Sequence, residues 1–131
     1  MSAIYLDSSA FVKAVLDEPE SAALRDFLAR PPQRRLSSAL LRAEALRAVR
    51  HLGPDALSRI RSGLRRVDLV AVNDGILDAA GILAPRILRT LDAIHLATAL
   101  AVGDDLASVI TYDHRMAEGA RLLGLPTASP A

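Results

Sequence analysis

Two short apolar segments, far apart in the chain, each end in an aspartate. Ala3 to Leu6 precedes Asp7, and Ser108 to Tyr112 precedes Asp113. Apolar runs of this length, rich in β-branched and aromatic residues, are typical of buried strands. Because apolar residues between them recur at helical spacing, strands alternate with helices along the chain. This alternation predicts an α/β fold with a parallel sheet that helices cover on both faces.

The other elements follow from apolar spacing and from the residues that break helices. Ser8 or Ser9 is expected to cap the first helix, Pro19 to start the second and Pro31-Pro32 to end it. By length the chain is one domain, residues 1–131, without repeats or linkers. Further strands are predicted at 35–38 and 67–72, with a short strand or tail after Pro126, and further helices at about 39–52, 54–66, 73–84, 91–102 and 114–123.

Composition excludes several classes of protein. The net charge is +1, so any binding of nucleic acid must come from a local basic patch. No apolar run approaches the roughly 20 residues of a membrane span, and the N-terminus lacks the pattern of a signal peptide. The absence of cysteine excludes disulfides and thiolate metal ligands. We therefore expect a cytoplasmic protein that does not associate with a membrane.

The two aspartates that follow strands are candidate site residues. In open parallel sheets, ligands bind beyond the carboxyl ends of the strands, at the point where the strand order reverses. If the strands before Asp7 and Asp113 are neighbours, both carboxylates fall in one crevice. Thr111, two residues before Asp113, is expected to brace these acids.

A third acid, Glu44, lies on the apolar arc of a predicted helix. At about 100° per residue, Glu44 falls between Leu40 and Ala48, whereas Arg47 and Arg50 lie on another arc. A carboxylate inside an apolar arc costs free energy unless a cation meets it.

The fourth acid, Asp92, opens a helix that is apolar on all sides. Between Leu91 and Val102 the only polar side chains are those of Asp92, His95 and Thr98. The helix dipole favours a carboxylate in the first turn. His95, one turn further on, is expected to be a core residue with satisfied hydrogen bonds.

Each acid also has a structural explanation when taken alone. Asp7 could cap a helix, Glu44 could pair with Arg42 or Arg47, and Asp113 could be a turn residue. Taken together, four carboxylates at strand ends and on buried helix faces would repel one another, and a divalent cation held by oxygen ligands would relieve that repulsion. Mg²⁺ or Mn²⁺ fits this set, since zinc prefers histidine or cysteine ligands.

The motifs around these acids resemble, in order and over nearly the whole chain, the PIN domains of VapC-type toxins. The similar segments are Tyr5-Leu-Asp7-Ser-Ser9-Ala-Phe-Val-Lys13, the Arg-flanked helix around Glu44, Leu91-Asp92-Ala-Ile-His95-Leu-Ala and Thr111-Tyr-Asp113. The resemblance implies a three-layer α/β/α sandwich with a central parallel sheet. It also implies cleavage of RNA that depends on Mg²⁺ or Mn²⁺, and inhibition by a small cognate antitoxin.

The resemblance also implies roles for particular residues. Ser9 matches the family's Ser/Thr/Asn position beside the metal; it could hydrogen-bond Asp7 or the scissile phosphate, or simply cap the helix. His114 follows Asp113 where some relatives carry another acid, so the number of metal ions, one or two, stays open. The four acids match the family's acidic quartet: Asp7, Glu44, Asp92 and Asp113. We expect Asp7 and Asp92 to be the principal ligands and the other two acids to bind directly or through water.

A homodimer and some basic contacts complete the expectations. The hydrophobic fraction of 51% is high for a small soluble domain, and with the resemblance it favours a dimer. We expect its interface on the first helix, at Phe11, Val12, Val15 and Leu16, or on the helix at about 52–64. The roles of three basic residues stay open. Lys13 could contact an acid of the cluster or simply be solvated. Arg86 and Arg89 could bind RNA phosphates or be ordinary surface residues.

Two other functions remain as alternatives. The first is a catalytically degenerate PIN-fold module that only binds RNA, but decay of function usually removes the ligands, and all four acids are present. The second is a Mg²⁺-dependent phosphoryl-handling domain of the receiver or phosphatase type. Such a domain normally needs a lysine late in the chain, whereas the only lysine here is Lys13.

Overall fold

In the computed structural model, which describes residues 2–30 and 33–131, five strands form one parallel sheet. The strands are β1 (Ala3–Leu6), β2 (Arg34–Ser38), β3 (Asp68–Val70), β4 (Leu106–Ile110) and β5 (Thr127–Ala128). The helices of the same residues are α1 (Ser8–Val15), α2 (Ser21–Ala29), α3 (Leu41–Val49), α4 (Pro54–Leu64), α5 (Asp74–Gly81), α6 (Thr90–Val102) and α7 (His114–Leu122). None of these helices is both long and apolar enough to span a bilayer.

The order of the strands places the point of reversal beside β1. The sheet runs β3-β2-β1-β4-β5, and every pair is parallel. The chain builds outward from β1 to β3 on one side and then crosses to β4 and β5 on the other. The order therefore reverses between β1 and β4, the two strands that precede Asp7 and Asp113, and the prediction that these strands are neighbours is confirmed.

Alternating side chains of β1 enter two separate cores. Ile4 and Leu6 join a core that α1, α2, α3 and α4 enclose. Ala3 and Tyr5 point to the other face and pack with Ala99 of α6. Because successive side chains of a strand point to opposite faces, one fully buried strand supports a layer of helices on each side. The predicted three-layer α/β/α sandwich with a central parallel sheet is confirmed.

Two bounds beside the site differ from the prediction. Asp7, and not Ser8 or Ser9, is the N-cap of α1, because its carboxylate accepts a hydrogen bond from the Ala10 amide. β4 ends at Ile110, so Asp113 lies three residues beyond the strand. Serine and threonine hydroxyls accept from the amides that follow β4, and these bonds replace the ladder there.

Other bounds differ away from the site. The third helix leaves α geometry at Val49 and continues as a 3-10 turn through Leu52. The fifth helix ends at Gly81 and not near Ala84; the next residue, Ile82, is 90% exposed, so no burial extends the helix. The predicted helix-ending pair Pro31-Pro32 lies outside the described residues, but α2 does end before it, at Ala29.

The surface that we expected to form a dimer is used largely inside the subunit. Phe11 is buried, and Val12, Val15 and Leu16 pack against the core that includes Ile60 of α4. The homodimer thus stays a prediction, and apolar residues outside α1 are more available for it. The large hydrophobic side chains that are most exposed are Leu52, Leu77, Ile82, Ile87, Leu91, Leu100 and Leu122.

Candidate functional site

The carboxyl ends of β1 and β4 meet in one crevice. The Asp7 amide donates to the Ile110 carbonyl across 3.3 Å and continues the pairing of the two strands by one residue. Beyond this bond the two chains separate into α1 and into the loop that leads to α7. Asp7 and Asp113 thus lie at the amino ends of two helices, at the reversal of the strand order where α/β sheets bind ligands.

The Asp7 carboxylate is buried and accepts three hydrogen bonds. Its Oδ1 accepts from the Ser9 hydroxyl at 2.7 Å and from the Ala10 amide at 2.9 Å, and its Oδ2 accepts from the Thr111 hydroxyl. Only 3% of Asp7 is exposed. Burial raises the pKa of its carboxyl above the usual value, because desolvation penalises the charge, while these hydrogen bonds act in the opposite direction.

Two hydroxyl groups tie the Asp7 loop to the Asp113 loop. Ser9 Oγ donates to Asp7 and accepts from the Tyr112 amide at 3.0 Å. Thr111 Oγ1 donates to Asp7 and accepts from the Asp113 amide at 3.1 Å. Each hydroxyl thus uses its donor on one acid and an acceptor on the other loop. The arrangement fixes the backbone of both acids at the crevice.

Glu44 is held by histidine and not by arginine. Its Oε1 lies 2.6 Å from His95 Nε2, and His95 Nδ1 lies 2.6 Å from the hydroxyl of Tyr5. His95 and Tyr5 are buried, whereas 19% of the Glu44 side chain is exposed. The expected partners Arg42 and Arg47 form no salt bridge with it within the described residues. A buried row of three side chains therefore leads from the middle of the sheet to Glu44 on α3.

Asp92 and Asp113 lie in the first turns of helices and are less buried. Asp113 caps α7: its Oδ1 accepts from the amides of Arg115 at 2.8 Å and Met116 at 3.1 Å. Asp92 Oδ2 accepts from the Arg89 amide across a long 3.4 Å, one turn before His95 on α6. Both carboxylates also face the positive end of a helix dipole, which stabilises them.

Comparison with known families identifies this arrangement. The model of the PIN domain family matches residues 4–122, which include all four acids. This chain is a PIN domain. The receiver or phosphatase alternative, which rested on acids at the ends of parallel strands, is thereby replaced by the PIN assignment.

Relatives and solved structures agree with this assignment. Ribonuclease VapC46 of Mycobacterium tuberculosis is 51% identical over 131 residues and covers 100% of both chains. Ribonuclease VapC47 of the same species is 37% identical, over 97% of this chain and 96% of its own. Among solved structures, VapC20 of M. tuberculosis, described as a Sarcin-Ricin loop cleaving toxin, has a TM-score of 0.76 at 16% identity and covers 97% of this chain and 99% of its own. The PIN domain therefore belongs to the VapC group, as its motifs indicated.

A second solved structure confirms the fold. VapBC2 of Rickettsia felis, described as bound to a DNA fragment from the promoter, has a TM-score of 0.71 at 15% identity. The match covers 98% of this PIN domain and 99% of that chain. At this level of identity both solved structures bear on the fold alone.

The chemistry of the acids fits a hard divalent cation, although the acids are not gathered around a point. Within residues 2–30 and 33–131, no three His, Asp or Glu side chains lie close enough together to hold a metal ion. Oxygen donors are nevertheless available. Asp7 uses both carboxylate oxygens, although its Oδ2 accepts a single hydrogen bond and keeps a further lone pair, whereas Glu44, Asp92 and Asp113 each use one oxygen. One oxygen on each of those three acids thus accepts no hydrogen bond from the described residues and is chemically suited to Mg²⁺ or Mn²⁺.

The sequence explained part of this site. Thr111 braces the acids and His95 is a satisfied core residue, as expected. Asp7 caps a helix, which was the structural alternative for it, and Ser9 binds Asp7, which was one of its open roles. The bond from His95 to Glu44 was missed. The signal for it was available, since a histidine and a glutamate each stood alone on an apolar helix face and each needed a polar partner.

The basic residues with open roles have different surroundings. Lys13 pairs with Glu20 at 2.9 Å and lies 5.2 Å above the ring of Tyr112, so it is more than a solvated charge, and it is not bonded to a member of the quartet. Arg86 and Arg89 are exposed just before α6 and form no salt bridge with the described residues. Among the described residues, both arginines are thus free of ion pairs at the start of that helix.

Proposed function

We propose that this PIN domain is an endoribonuclease that hydrolyses RNA phosphodiester bonds with the help of Mg²⁺ or Mn²⁺. The observation that carries the proposal is the 51% identity, over the full length of both chains, to a protein named as a ribonuclease. The site agrees with that chemistry, because it offers carboxylate oxygens and nearby exposed arginines but no thiol nucleophile. Retention of the whole acidic quartet supports an enzyme over a degenerate module that only binds RNA.

The residues of the site divide the work of phosphodiester hydrolysis. A bound divalent ion supplies an activated water and neutralises charge on the phosphate. Asp7 and Asp92 are the proposed principal ligands, with Glu44 and Asp113 binding directly or through water. Ser9 and Thr111 hold the Asp7 carboxylate in one orientation, which leaves little side-chain entropy to lose when an ion binds.

We also propose that two exposed arginines hold the RNA. Arg86 and Arg89, exposed before α6, are placed to bind backbone phosphates through their guanidinium groups. The net charge of +1 gives no broad attraction, so the contacts that position the substrate must be few and local.

We also propose that the protein is the toxin of a toxin–antitoxin pair. Relatives that it matches over the full length carry the VapC name, and the resemblance implies a small cognate antitoxin and a homodimer. Sedimentation of the purified protein at micromolar concentration tests the dimer, which a monomer would refute.

Cleavage of a structured RNA by the purified protein tests the enzymatic proposal. The wild type should cleave in Mg²⁺ or Mn²⁺ and stop in EDTA. Asp7→Asn should lower the cleavage rate about a thousand-fold, since the loss of a ligand that holds the cation removes several kcal/mol of transition-state stabilisation. Circular dichroism should show an intact fold, because the asparagine carbonyl can still cap α1.

The matched control is Asp104→Asn. Asp104 is exposed and lies in the 3-10 turn before β4, at the amino end of that strand and away from the crevice at its carboxyl end. This variant should cleave at the wild-type rate. Cleavage that resists EDTA, or an Asp7→Asn variant as active as the wild type, contradicts the proposed function.

A further inference from the structure

Tyr5, His95 and Glu44 form a row that the proposed chemistry does not by itself explain. Tyr5 is the third residue of β1, His95 is on α6, and Glu44 is on α3. The two bonds that join them are both 2.6 Å long and span 90 and 51 positions of sequence. A core histidine could satisfy its nitrogens with backbone carbonyls or solvent, but here both nitrogens meet side chains.

The protons of this row follow from the chemistry of its ends. A carboxylate only accepts, so His95 Nε2 carries a proton and donates to Glu44. In the tautomer that has its proton on Nε2, Nδ1 is an acceptor, and the Tyr5 hydroxyl 2.6 Å away can donate to it. The bond to Tyr5 therefore matches the tautomer of His95 that can hold Glu44.

The row leaves one oxygen of Glu44 uncommitted. Oε1 is bonded to His95, Oε2 accepts no hydrogen bond from the described residues, and 19% of the side chain is exposed. A glutamate has three rotatable side-chain bonds and loses much conformational freedom when it is immobilised. The bond to His95 removes that freedom before any cation arrives.

We propose that His95, with its tautomer fixed by Tyr5, is a positioning residue that orients Glu44 for a divalent cation. This inference rests on the proposed function, and it assigns His95 no contact with RNA or with the reacting atoms. Groups behind metal ligands typically affect metal affinity by 10- to 100-fold, because they fix the orientation of the ligand they touch. His95 and Tyr5 should act in this way and only through Glu44.

Calorimetric titration with Mn²⁺ alone tests the proposal without RNA. His95→Leu should weaken Mn²⁺ binding about ten-fold or more, and Tyr5→Phe should weaken it less. His95→Gln should recover much of the affinity, because its amide N–H can still donate to Glu44. Wild-type affinity in both His95→Leu and Tyr5→Phe would overturn the proposal. If His95→Leu does not fold, Tyr5→Phe decides the matter, and wild-type affinity in that variant overturns the proposal.

Two controls separate positioning from general damage. His51→Gln makes the same chemical change at an exposed histidine, and Leu96→Val loosens the core at the position next to His95. Both should bind Mn²⁺ like the wild type. A loss in Leu96→Val equal to that in His95→Leu would assign the effect to packing and overturn the proposal.

A double-mutant cycle shows whether His95 acts through Glu44. In the Glu44→Gln background, His95→Leu should cause no further loss of Mn²⁺ affinity or of kcat, whereas independent effects would add. In the wild-type background His95→Leu should lower kcat and leave KM for RNA nearly unchanged. Additive losses would overturn the positioning role.

The tautomer provides a readout that needs neither metal nor activity. Long-range ¹H–¹⁵N spectra distinguish the two nitrogens of a neutral imidazole, and the His95 signal is the one of three that His95→Gln removes. The wild type should carry the proton on Nε2, and Tyr5→Phe should mix the tautomers. A proton on Nδ1 in the wild type overturns this inference. If the tautomer is as expected but the wild type neither binds Mn²⁺ nor cleaves RNA, the proposed function fails instead, and His95 positions Glu44 without a cation to serve.

Discussion

Two carboxylates beside the central strand are stabilised in opposite ways. Asp7, directly after β1, is 3% exposed and accepts three hydrogen bonds, two on Oδ1 and one on Oδ2. Glu44, reached from β1 through Tyr5 and His95, has one donor on one oxygen and a side chain that is 19% exposed. We call the Asp7 carboxylate closed, because protein donors surround it, and the Glu44 carboxylate open, because one of its oxygens has no protein donor among the described residues.

The difference shows that one strand can serve an acid in two ways. At Asp7 three protein donors take the place of water, so the fold depends on the carboxylate, and burial raises the pKa of that carboxyl. At Glu44 the protein fixes only the direction of the side chain and leaves the rest to solvent. A divalent cation would stabilise the desolvated charge of Asp7 and could bind the oxygen of Glu44 that accepts no hydrogen bond. The comparison therefore predicts unequal effects on stability.

The largest effect on stability is expected from Asp7→Ala. This change removes the cap of α1 and leaves the Ser9 and Thr111 hydroxyls and the Ala10 amide without their acceptor. The free energy of unfolding should fall by about 3 kcal/mol, from the sum of a lost cap and unsatisfied buried donors. Urea denaturation measures it. Asp104→Ala, at an exposed acid, should stay within about 0.5 kcal/mol of the wild type; equal losses in the two variants would remove the contrast.

Glu44→Ala should cost less. His95 Nε2 loses its acceptor, but the opening beside the partly exposed Glu44 side chain admits water, which can take the bond. We expect a loss of about 1 kcal/mol in the same urea experiment. Glu118→Ala, which breaks an exposed pair with Arg121, should cost no more than about 0.5 kcal/mol. A Glu44→Ala variant less stable than Asp7→Ala would mean that the closed and open descriptions are reversed.

The subtlest effect is the pH dependence of Asp7→Asn. Well below the usual Asp pKa, both states of the wild type hold the proton on Asp7. As the pH rises, the unfolded chain ionises first because the native pKa of Asp7 is raised, so this group lowers stability until the pH passes its native pKa. Asp7→Asn lacks this loss, and its melting temperature relative to the wild type should rise from pH 3 to pH 7 when EDTA is present.

Asp17 provides a control of opposite sign. Hydrogen bonding and charge from Arg25, with the nearby charge of Arg59, lower the pKa of this exposed carboxyl. Its contribution to stability is therefore present at neutral pH and lost in acid. Asp17→Asn should be slightly less stable than the wild type at pH 7 and equal to it in acid. Parallel pH curves for wild type and Asp7→Asn would show that burial of Asp7 carries no cost.

How far the sequence predicted the site depended on the distance between partners. The cap on α1 and the bond from Ser9 to Asp7 join residues two or three positions apart, and local patterns bear on both. The bond from Thr111 to Asp7 spans 104 positions. The sequence predicted that Thr111 braces the acids, but not which acid it bonds. The partner of Glu44 was missed, because Arg47 is near in sequence while His95 is 51 positions away.

The sequence by itself determined the alternation of strands and helices, the buried character of β1 and of the middle of α6, and the elements near which the four acids lie. These are properties of periodicity and of residue type, and they act within a turn of helix or a few residues of strand. Only the tertiary structure decided which donor meets each carboxylate, because that depends on strand order and helix packing. With β1 in the centre, between β2 and β4, the two hydroxyls reach Asp7, and Tyr5 reaches the histidine that holds Glu44.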